Sequence, residues 1–381
     1  MLNRAQNEMK TKIECISAAA REWAKNGLFW CAVGMGVLPV AGLAQQGKPL
    51  LPLPPPVVST VPSNGDVNPY GVVFVPRSFG TKGLLHPGDI LVSNFNNNAN
   101  LQGTGTTIIR VGTDGQPSLF FQGQPGLGLT AALGLVRYGF IFVGNLPTRD
   151  GTSATTQAGS LLILNSNGQQ VGQLVNPDLV NGPWGMAIHD GGDTVQVFIS
   201  NVLTGTIVRL DLIISADADA VVLKQAVLVG SGFNHRPDAA ALLLGPSGLF
   251  YDSRNDLLYV ASSADNAIYA ITDAGATPGG EGTGRLVYQD NLRLHGPLDL
   301  VMAPNGDLIV ANSDGSNTDP NQPSEIVEFT PSGKFVAQYS IDKANGGAFG
   351  LNLINLGAGN LKFAAVNDNQ NTLNTWTVAI R

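Results

Sequence analysis

The sequence predicts an all-β fold: a six-bladed β-propeller of four-stranded antiparallel blades, with the ring closed by an N-terminal strand that completes the last blade. Three observations predict it. A glycine-marked unit recurs six times at intervals of 51 or 63 residues, each copy contains three or four short strands, and the last copy stops before its outer strand. A repeated interval of this length is typical of repeat architectures.

The first strand of each copy starts at a marker residue that is glycine in five copies and aspartate in one. In Asn181-Gly182-Pro183-Trp184-Gly185 the marker is Gly185. The six markers are Gly71, Gly134, Gly185, Gly248, Asp299 and Gly350, and their successive spacings are 63, 51, 63, 51 and 51 residues.

The second strand of each copy is an apolar run that ends on a small polar residue. These strand-ending residues are Asn94, Asn145, Asn201, Ser262, Asn312 and Asn367. A third run alternates in polarity, as in Glu325-Ile326-Val327-Glu328-Phe329, and a fourth usually follows a turn such as Asp114-Gly115. Short runs of β-branched and aromatic residues between Gly, Asn and Asp clusters are typical of strands. No segment after Pro62 has a helical period.

The sixth copy lacks a fourth strand, because the chain stops at Arg381 just after its third. The segment 56–62 precedes the first copy and can supply that strand. Such a closure would lock the first blade to the last.

The predicted domain organisation has three parts: a signal peptide at 1–44, a proline-rich linker at 45–55, and the propeller at 56–381. The predicted blades are 66–123, 124–180, 181–243, 244–293, 294–343 and 344–381, the last completed by strand 56–62.

The N-terminal segment has the pattern of a secretory signal. Lysines and arginines precede an apolar run from Gly27 to Val40, and cleavage is expected after Ala44. The run is shorter than the roughly 20 residues that a membrane-spanning helix needs. An uncleaved anchor and a true start at Met9 are the alternatives. Both cysteines, Cys15 and Cys31, lie in this segment, so the mature chain would have no disulfide.

The composition limits the classes of binding partner that we expect. Only 13% of the residues are charged, the net charge is −7, and no basic cluster is present to neutralise phosphates. We therefore expect no nucleic-acid partner. After signal cleavage we expect no stable membrane span, a secreted or periplasmic location, and a small molecule, a glycan or a protein as the partner.

The clearest copy runs from Gly296 to Phe329 through Pro304-Asn305-Gly306-Asp307 and Leu308-Ile309-Val310-Ala311-Asn312. This unit resembles the NHL-repeat propellers and, more distantly, the gluconolactonase and streptogramin-lyase propellers, over about residues 66–381. The motif is structural and is shared by enzymes and binding modules, so the resemblance implies a fold rather than one activity.

Most of the candidate ligand-binding residues are predicted to lie at one end of the ring. In an antiparallel blade the start of the first strand, the end of the second and the start of the third lie at the same edge. The loops after the second strands span about 13, 15, 5, 5, 13 and 8 residues in copies one to six. We therefore expect a wall of long loops over blades five, six, one and two, with the other side open. The ligand-binding residues predicted at this channel mouth are Tyr70, Asn94, Asn145, Trp184, Asn201, Asp299, Asn312, Phe349 and Asn367.

Two interpretations of these residues remain open. The aromatic side chains before the marker glycines either pack between blades or line the channel mouth. The asparagines either satisfy turn backbone through their side chains or hydrogen-bond a neutral ligand.

The resemblance also implies a metal site. In gluconolactonase-like propellers a divalent ion, usually calcium, is held by a Glu of the first blade with Asn and Asp of later inner strands. Asn181 and Asp299 would match the Asn and Asp if an ion is present. The glutamates after the signal are Glu281, Glu325 and Glu328, and none starts a first strand. We therefore expect no cofactor, with calcium as the alternative.

The remaining metal-ligating residue types are interpreted as structural. The histidines after the signal, His86, His189, His235 and His295, are scattered, and we expect none to have a paired acid. We interpret Arg149-Asp150 in the second copy, and Asp314, Asn317 and Asp319 in the fifth, as solvated turns because no complete calcium-loop spacing is present.

These observations favour an exported recognition or scaffold module that binds a neutral or weakly polar ligand, or a protein partner, on the long-loop face. The alternative is a metal-dependent hydrolase, lactonase or lyase of the gluconolactonase-like type.

Overall fold

The computed structural model describes residues 55–80, 82–214, 220–280, 282–313 and 315–379. The predicted signal peptide, the predicted linker up to residue 54, Glu281 and Asp314 lie outside this part of the chain. No helix among the described residues is long and apolar enough to cross a membrane.

Six four-stranded antiparallel sheets form the blades, and in blades one to five the strands pair in chain order. Strand β1 (Val57–Ser59) precedes them. Blade one contains β2 (Val67–Phe74), β3 (Ile90–Asn96), β4 (Thr107–Val111) and β5 (Pro117–Gln122). Blade two contains β6 (Leu129–Leu135), β7 (Phe140–Asn145), β8 (Ser160–Asn165) and β9 (Gln170–Leu174). Blade three contains β10 (Pro183–Asp190), β11 (Thr194–Asn201), β12 (Thr206–Ile213) and β13 (Val222–Gly230).

A two-stranded hairpin, β14 (Arg236–Asp238) and β15 (Leu242–Leu244), separates blades three and four. Blade four contains β16 (Pro246–Asp252), β17 (Leu257–Ser262), β18 (Ala267–Thr272) and β19 (Arg285–Gln289). Blade five contains β20 (Pro297–Met302), β21 (Leu308–Asn312), β22 (Glu325–Phe329) and β23 (Phe335–Ser340). Blade six contains β24 (Ala348–Gly357), β25 (Asn360–Asn367) and β26 (Thr372–Ala379). One turn of 3-10 helix, Ser153–Thr155, lies in a loop of blade two.

The N-terminal strand closes the ring as predicted. Strand β1 is the outer strand of blade six, with Val58 opposite Leu373 in antiparallel register with β26. The Thr60 N–H then donates to the Asn371 carbonyl at 3.0 Å. The first and last described segments are therefore held together by ladder hydrogen bonds.

Apolar layers fill the spaces between neighbouring blades. Five of them join consecutive blades, from one and two to five and six, and a sixth packs Val72 and Ile90 of blade one against Val366 and Leu373 of blade six. Both faces of each blade are thus covered. This explains why the second strands are near-continuous apolar runs, since a strand buried on both faces has no solvent side to alternate with.

Three of the marker glycines, Gly185, Gly248 and Gly350, lie where the backbones of neighbouring inner strands approach each other closely. A Cβ at Gly185 would overlap the Ser247 carbonyl oxygen, and one at Gly350 would overlap the Tyr70 carbonyl oxygen. The requirement is space rather than backbone conformation, because neither glycine is among those with positive φ. The absence of a side chain therefore sets how tightly the ring can close.

Polar side chains connect successive blades at this level, and we call them the hydroxyl girdle although its last member is a carboxyl: Ser93, Thr130, Ser200, Ser247 and Asp299. The four hydroxyl residues are buried, and Asp299 is half-buried. Each of the four hydroxyls donates to a backbone carbonyl of the next blade, at 2.8, 2.7, 2.6 and 2.8 Å respectively. The Asp299 Oδ2 continues the series by accepting from the Leu351 N–H at 2.8 Å. The girdle therefore runs from blade one to blade six.

Replacing Gly185 by Ala should destabilise the ring because the added methyl group meets backbone that cannot rotate away. We expect the free energy of unfolding to fall by about 1–3 kcal/mol, the usual cost of overpacking. Urea unfolding of Gly185→Ala would measure it. The control is Gly172→Ala, where the new Cβ would lie 3.4 Å from the Ile163 side chain, an ordinary contact. Equal effects of the two substitutions would contradict the close-approach explanation.

Candidate ligand site at the upper end of the channel

The central channel is divided into two cavities. We call the end where the inner strands begin the upper end. The lower cavity, about 320 Å³, is lined by the later halves of the inner strands of all six blades, with mostly Val, Leu, Ile and Met side chains. The upper depression, about 230 Å³, lies over the starts of these strands and is lined by both polar and apolar residues. Most of the polar side chains that line the two cavities are therefore at the upper end.

Aromatic side chains separate the two cavities, and we call Tyr70, Phe95, Trp184 and Phe349 the aromatic plug. The Tyr70 ring lies 5.0 Å from Phe95, 5.5 Å from Trp184 and 4.8 Å from Phe349 between ring centroids. The Trp184 side chain is only 1% exposed and lines neither cavity. Tyr70 and Phe349 form part of the floor of the upper depression. Aromatic edge-to-face packing stabilises such clusters beyond the area they bury.

The predicted asparagines at the ends of the second strands fasten loops to their blades. Asn94, Asn145 and Asn201 are buried and donate through Nδ2 to the hydroxyl at the head of the third strand, at 3.2, 3.1 and 3.3 Å. Asn312 Nδ2 donates to Glu325 in the equivalent place, whereas Asn367 Nδ2 donates to Asp342. None of the five lines the upper depression. Backbone N–H groups of Gly128 and Asn181 donate to the Oδ1 atoms of Asn145 and Asn201 at 2.8 and 3.0 Å, as expected where asparagine side chains satisfy turn backbone.

The upper depression is lined mainly by polar residues next to the predicted ones. Blade one and its loop contribute Asn68, Asn96, Asn100 and Gln102, and blade six contributes Asp368 and Asn369. Ser263 of blade four and Ser313 of blade five complete the polar lining. A surface of amides, hydroxyls and one carboxyl suits a neutral, hydrogen-bonding ligand.

Asp368 is the acidic group of this depression. Within the described part of the chain its carboxylate accepts no hydrogen bond, and burial raises its pKa to about 7. Some water reaches it, because the side chain is half-buried. The Tyr70 pKa is raised above its ordinary value, first by burial and then by the negative charge of Asp368. At neutral pH the Asp368 carboxyl can therefore both donate and accept a hydrogen bond.

Two further acceptors lie at the same depression. The Oδ1 atoms of Asn68 and Asn96 are buried and have no hydrogen-bond partner among the described residues. Asn96 Nδ2 donates to Asn100 Oδ1 at 2.7 Å, which fixes the orientation of that amide. A buried polar atom without a partner costs free energy unless water or a ligand satisfies it.

The prediction that the side over blades three and four is open is wrong, because the hairpin β14–β15 occupies it. Leu242 and Leu243 anchor the hairpin against the aromatic plug. Ala240 and Ala241 at its tip line the upper depression, and Gln102 of the blade-one loop donates to the Ala240 carbonyl at 3.1 Å. The signal in the sequence was the spacing of 63 rather than 51 residues between Gly185 and Gly248.

The two predicted metal ligands are not brought together. Asp299 lines the lower cavity, whereas Asn181 lines neither cavity. Both Asp299 oxygens accept backbone N–H groups, from Leu300 at 2.9 Å and Leu351 at 2.8 Å. Burial raises the Asp299 pKa to about 7 while these hydrogen bonds oppose the rise. The residues present therefore do not fit the calcium site that the resemblance implies, and Asp299 is part of the girdle.

The expectation that no histidine has a paired acid is also wrong. The His295 Nε2 lies 3.7 Å from Asp319 Oδ2 and 3.9 Å from Glu325 Oε1. No local sequence pattern indicates this group, because its members come from the head of one strand, a loop and the start of another strand.

No family model and no curated protein matches this chain. Solved structures do resemble it. A glucose dehydrogenase has a TM-score of 0.48 and 12% identity, covering 85% of this chain and 99% of its own. The calcium-binding protein regucalcin from Agrobacterium tumefaciens has a TM-score of 0.47 and 13% identity, covering 83% and 95%. Virginiamycin B lyase from Staphylococcus aureus has a TM-score of 0.45 and 15% identity, covering 86% and 89%.

These matches agree with a distant similarity to propellers of the gluconolactonase and streptogramin-lyase type. A likeness at such identities concerns the fold, which the strand topology establishes by itself. What those proteins bind or act on is a property of those proteins.

The raised Asp368 pKa predicts a pH-dependent contribution to stability. The folded carboxyl titrates near pH 7 and the unfolded one near 3.8, so the folded state holds a proton that the unfolded state has released between these values. This contribution is therefore present below about pH 4 and is lost as the pH rises to about 7. Relative to Asp368→Asn, the wild-type free energy of unfolding should fall over that window by on the order of 1–2 kcal/mol, after allowance for solvent screening.

Chemical denaturation of both proteins between pH 4 and pH 8 would check this. The titration of Asp299 contributes equally to both proteins and cancels in their difference. The control is Asp150→Asn in a loop of blade two. Hydrogen bonds from Thr155 and Thr152 lower the Asp150 pKa, so its contribution should be constant across the same window. A wild-type minus Asp368→Asn difference that does not change with pH would contradict the assignment.

Proposed function

We propose that the protein is an exported binding module that takes a small, neutral, hydroxyl-rich ligand, such as a sugar or another polyol, in the upper depression. One observation carries the proposal: Asp368, whose carboxylate accepts no hydrogen bond from the described residues, lines one depression together with the side-chain amides of Asn68 and Asn96. A ligand with several O–H groups would hydrogen-bond the carboxylate and these amides together.

The size and charge of the depression support this class of ligand. Its volume of about 230 Å³ is below the roughly 300–1,000 Å³ typical of pockets for drug-sized compounds. The Arg and Lys residues of the chain are absent from its described lining, so an anion would find no counter-charge there. Leu298 and Phe349 at the floor offer an apolar surface on which the C–H face of a sugar ring can pack.

The enzymatic alternative is a metal-dependent hydrolase, lactonase or lyase. The observation in its favour is the Asp368 pKa of about 7, because a group that titrates near the working pH is suited to proton transfer. The titratable residue beside it in the described lining is Tyr70, whose pKa is raised further from neutrality. A second acid or base to act with Asp368 is therefore lacking in that lining, and binding without turnover is the better-supported function.

A ligand panel tests the binding proposal. Monosaccharides, linear polyols and simple lactones are screened by thermal shift, and hits are measured by isothermal titration calorimetry. We expect at least one sugar or polyol to bind, and Asn96→Ala or Asp368→Asn to weaken it by about tenfold or more, because each removes a hydrogen bond worth about 1.5 kcal/mol. Asp150→Asn is the matched control on the same face.

Absence of binding across the panel, or equal affinity in Asp368→Asn and Asp150→Asn, would reject the proposal. Turnover of simple lactones that is stimulated by calcium and abolished by chelator would establish the enzymatic alternative instead. Trp184→Ala is unsuitable as a binding test, because removal of this buried side chain disrupts the aromatic plug.

Export rests on the N-terminal pattern and is tested separately. In a bacterial host, we expect the protein to be recovered outside the cytoplasm with Gln45 as its first residue, since the small residues before it suit signal peptidase. Intact-mass spectrometry measures this. Retention of residues 1–44 in a membrane fraction would favour the uncleaved anchor.

A further inference from the structure

A second candidate site lies in blade five, outside the upper depression. His295 precedes the first strand of this blade, Asp319 lies in the loop after its second strand, and Glu325 is the first residue of its third strand. The antiparallel order brings these three positions to one edge of the sheet. None of the three lines the upper depression, so this group is independent of the proposed ligand site.

The side-chain geometry is that of a small ligand set. One nitrogen of His295 and one carboxylate oxygen each of Asp319 and Glu325 lie within 4.8 Å of one another. His295 is 5% exposed and Glu325 is 1% exposed. Around a tetrahedral zinc ion with bonds of about 2.0–2.2 Å, neighbouring ligand atoms are roughly 3.3–3.6 Å apart. The separations of 3.7 and 3.9 Å between Nε2 and the two carboxylates need a small contraction to reach that value, and the two carboxylate oxygens, within 4.8 Å of each other, must also move together.

The backbone fixes which nitrogen faces the carboxylates. The His295 Nδ1 lies 2.9 Å from the Asn317 carbonyl oxygen, which can only accept a hydrogen bond. Nδ1 therefore carries the proton, and in a neutral ring Nε2 carries the lone pair. That buried Nε2 has no hydrogen-bond partner among the described residues. Its lone pair thus points towards two acidic side chains, an arrangement that a cation between them would stabilise.

A proton on Nε2 accounts for the geometry less well. An N–H donor needs its acceptor at roughly 2.7–3.2 Å, and the nearest oxygens of the two carboxylates lie at 3.7 and 3.9 Å. Nε2 is also inaccessible to bulk solvent. A bare metal ion fits between three ligand atoms at these separations.

We propose that His295, Asp319 and Glu325 bind a divalent transition-metal ion with the chemistry of Zn²⁺. An imidazole nitrogen with two carboxylates suits zinc, whereas calcium and magnesium prefer oxygen ligands throughout. Two neighbours hold the ligands in place: the Asn317 carbonyl orients His295, and Asn312 Nδ2 donates to Glu325 Oε1 at 3.1 Å. Such outer hydrogen bonds commonly orient metal ligands. The ion would tie the long loop of blade five to the blade edge.

Zinc titration of the purified full chain tests the proposal. After treatment with chelator and dialysis, isothermal titration calorimetry with ZnCl₂ should show one ion per chain, and zinc should raise the melting temperature. In His295→Gln, the affinity should fall by at least about 100-fold, because loss of a direct ligand exceeds the 10–100-fold effects of outer partners. Cobalt should give the visible absorption of a low-symmetry site in the wild type and not in this variant.

The matched control is His235→Gln. His235 also has its Nδ1 near a backbone carbonyl, that of Phe233 at 3.1 Å, but it is exposed and has no acid partner within the described chain. Its substitution should leave zinc affinity unchanged. If His295→Gln does not fold, the zinc affinity of Asp319→Asn is measured instead, because Asp319 lies in a loop away from the apolar layers. No stoichiometric zinc binding, or equal affinity in the His295 and His235 variants, would overturn the proposal.

Discussion

The close approach of the six inner strands is the constraint on which the rest of the structure depends. At Gly185, Gly248 and Gly350 the backbone of the next blade occupies the place where a side chain would start. The hydroxyl girdle then satisfies carbonyl groups that this packing removes from water, which matters because an unpaired buried carbonyl is costly. Close packing and hydrogen bonding thus act at the same level of the ring.

The narrow ring also determines what the channel can contain. Near the upper end the space is filled by the aromatic plug, whose members come from blades one, three and six. Below it, the inner strands present apolar side chains to a cavity of about 320 Å³, with Asp299 bound to backbone N–H groups. The depression that we propose as the ligand site therefore lies above the plug.

Both proposed sites consist of side chains that are not needed to hold the blades together. The strand-end asparagines Asn94, Asn145 and Asn201 donate hydrogen bonds within their blades, whereas Asn68, Asn96 and Asp368 line the upper depression. In blade five the same edge gathers His295, Asp319 and Glu325 around a second, separate centre. The two centres differ in chemistry: one offers hydrogen bonds to a neutral ligand, and the other offers a nitrogen and two carboxylates to a cation.

The sequence by itself determined the six-fold repeat, the strand order within blades and the closure by the segment 56–62, because these follow from local periodicity and from glycine and turn positions. It also predicted a ligand site at the edge where the inner strands begin, which stays a prediction. Tertiary structure decided which residues of that edge remain available. Trp184 and Asn201 became packing and fastening groups, Asp299 joined the girdle, and the hairpin β14–β15 covered the side expected to be open. These outcomes depend on distances between blades, and such distances arise only when the ring closes.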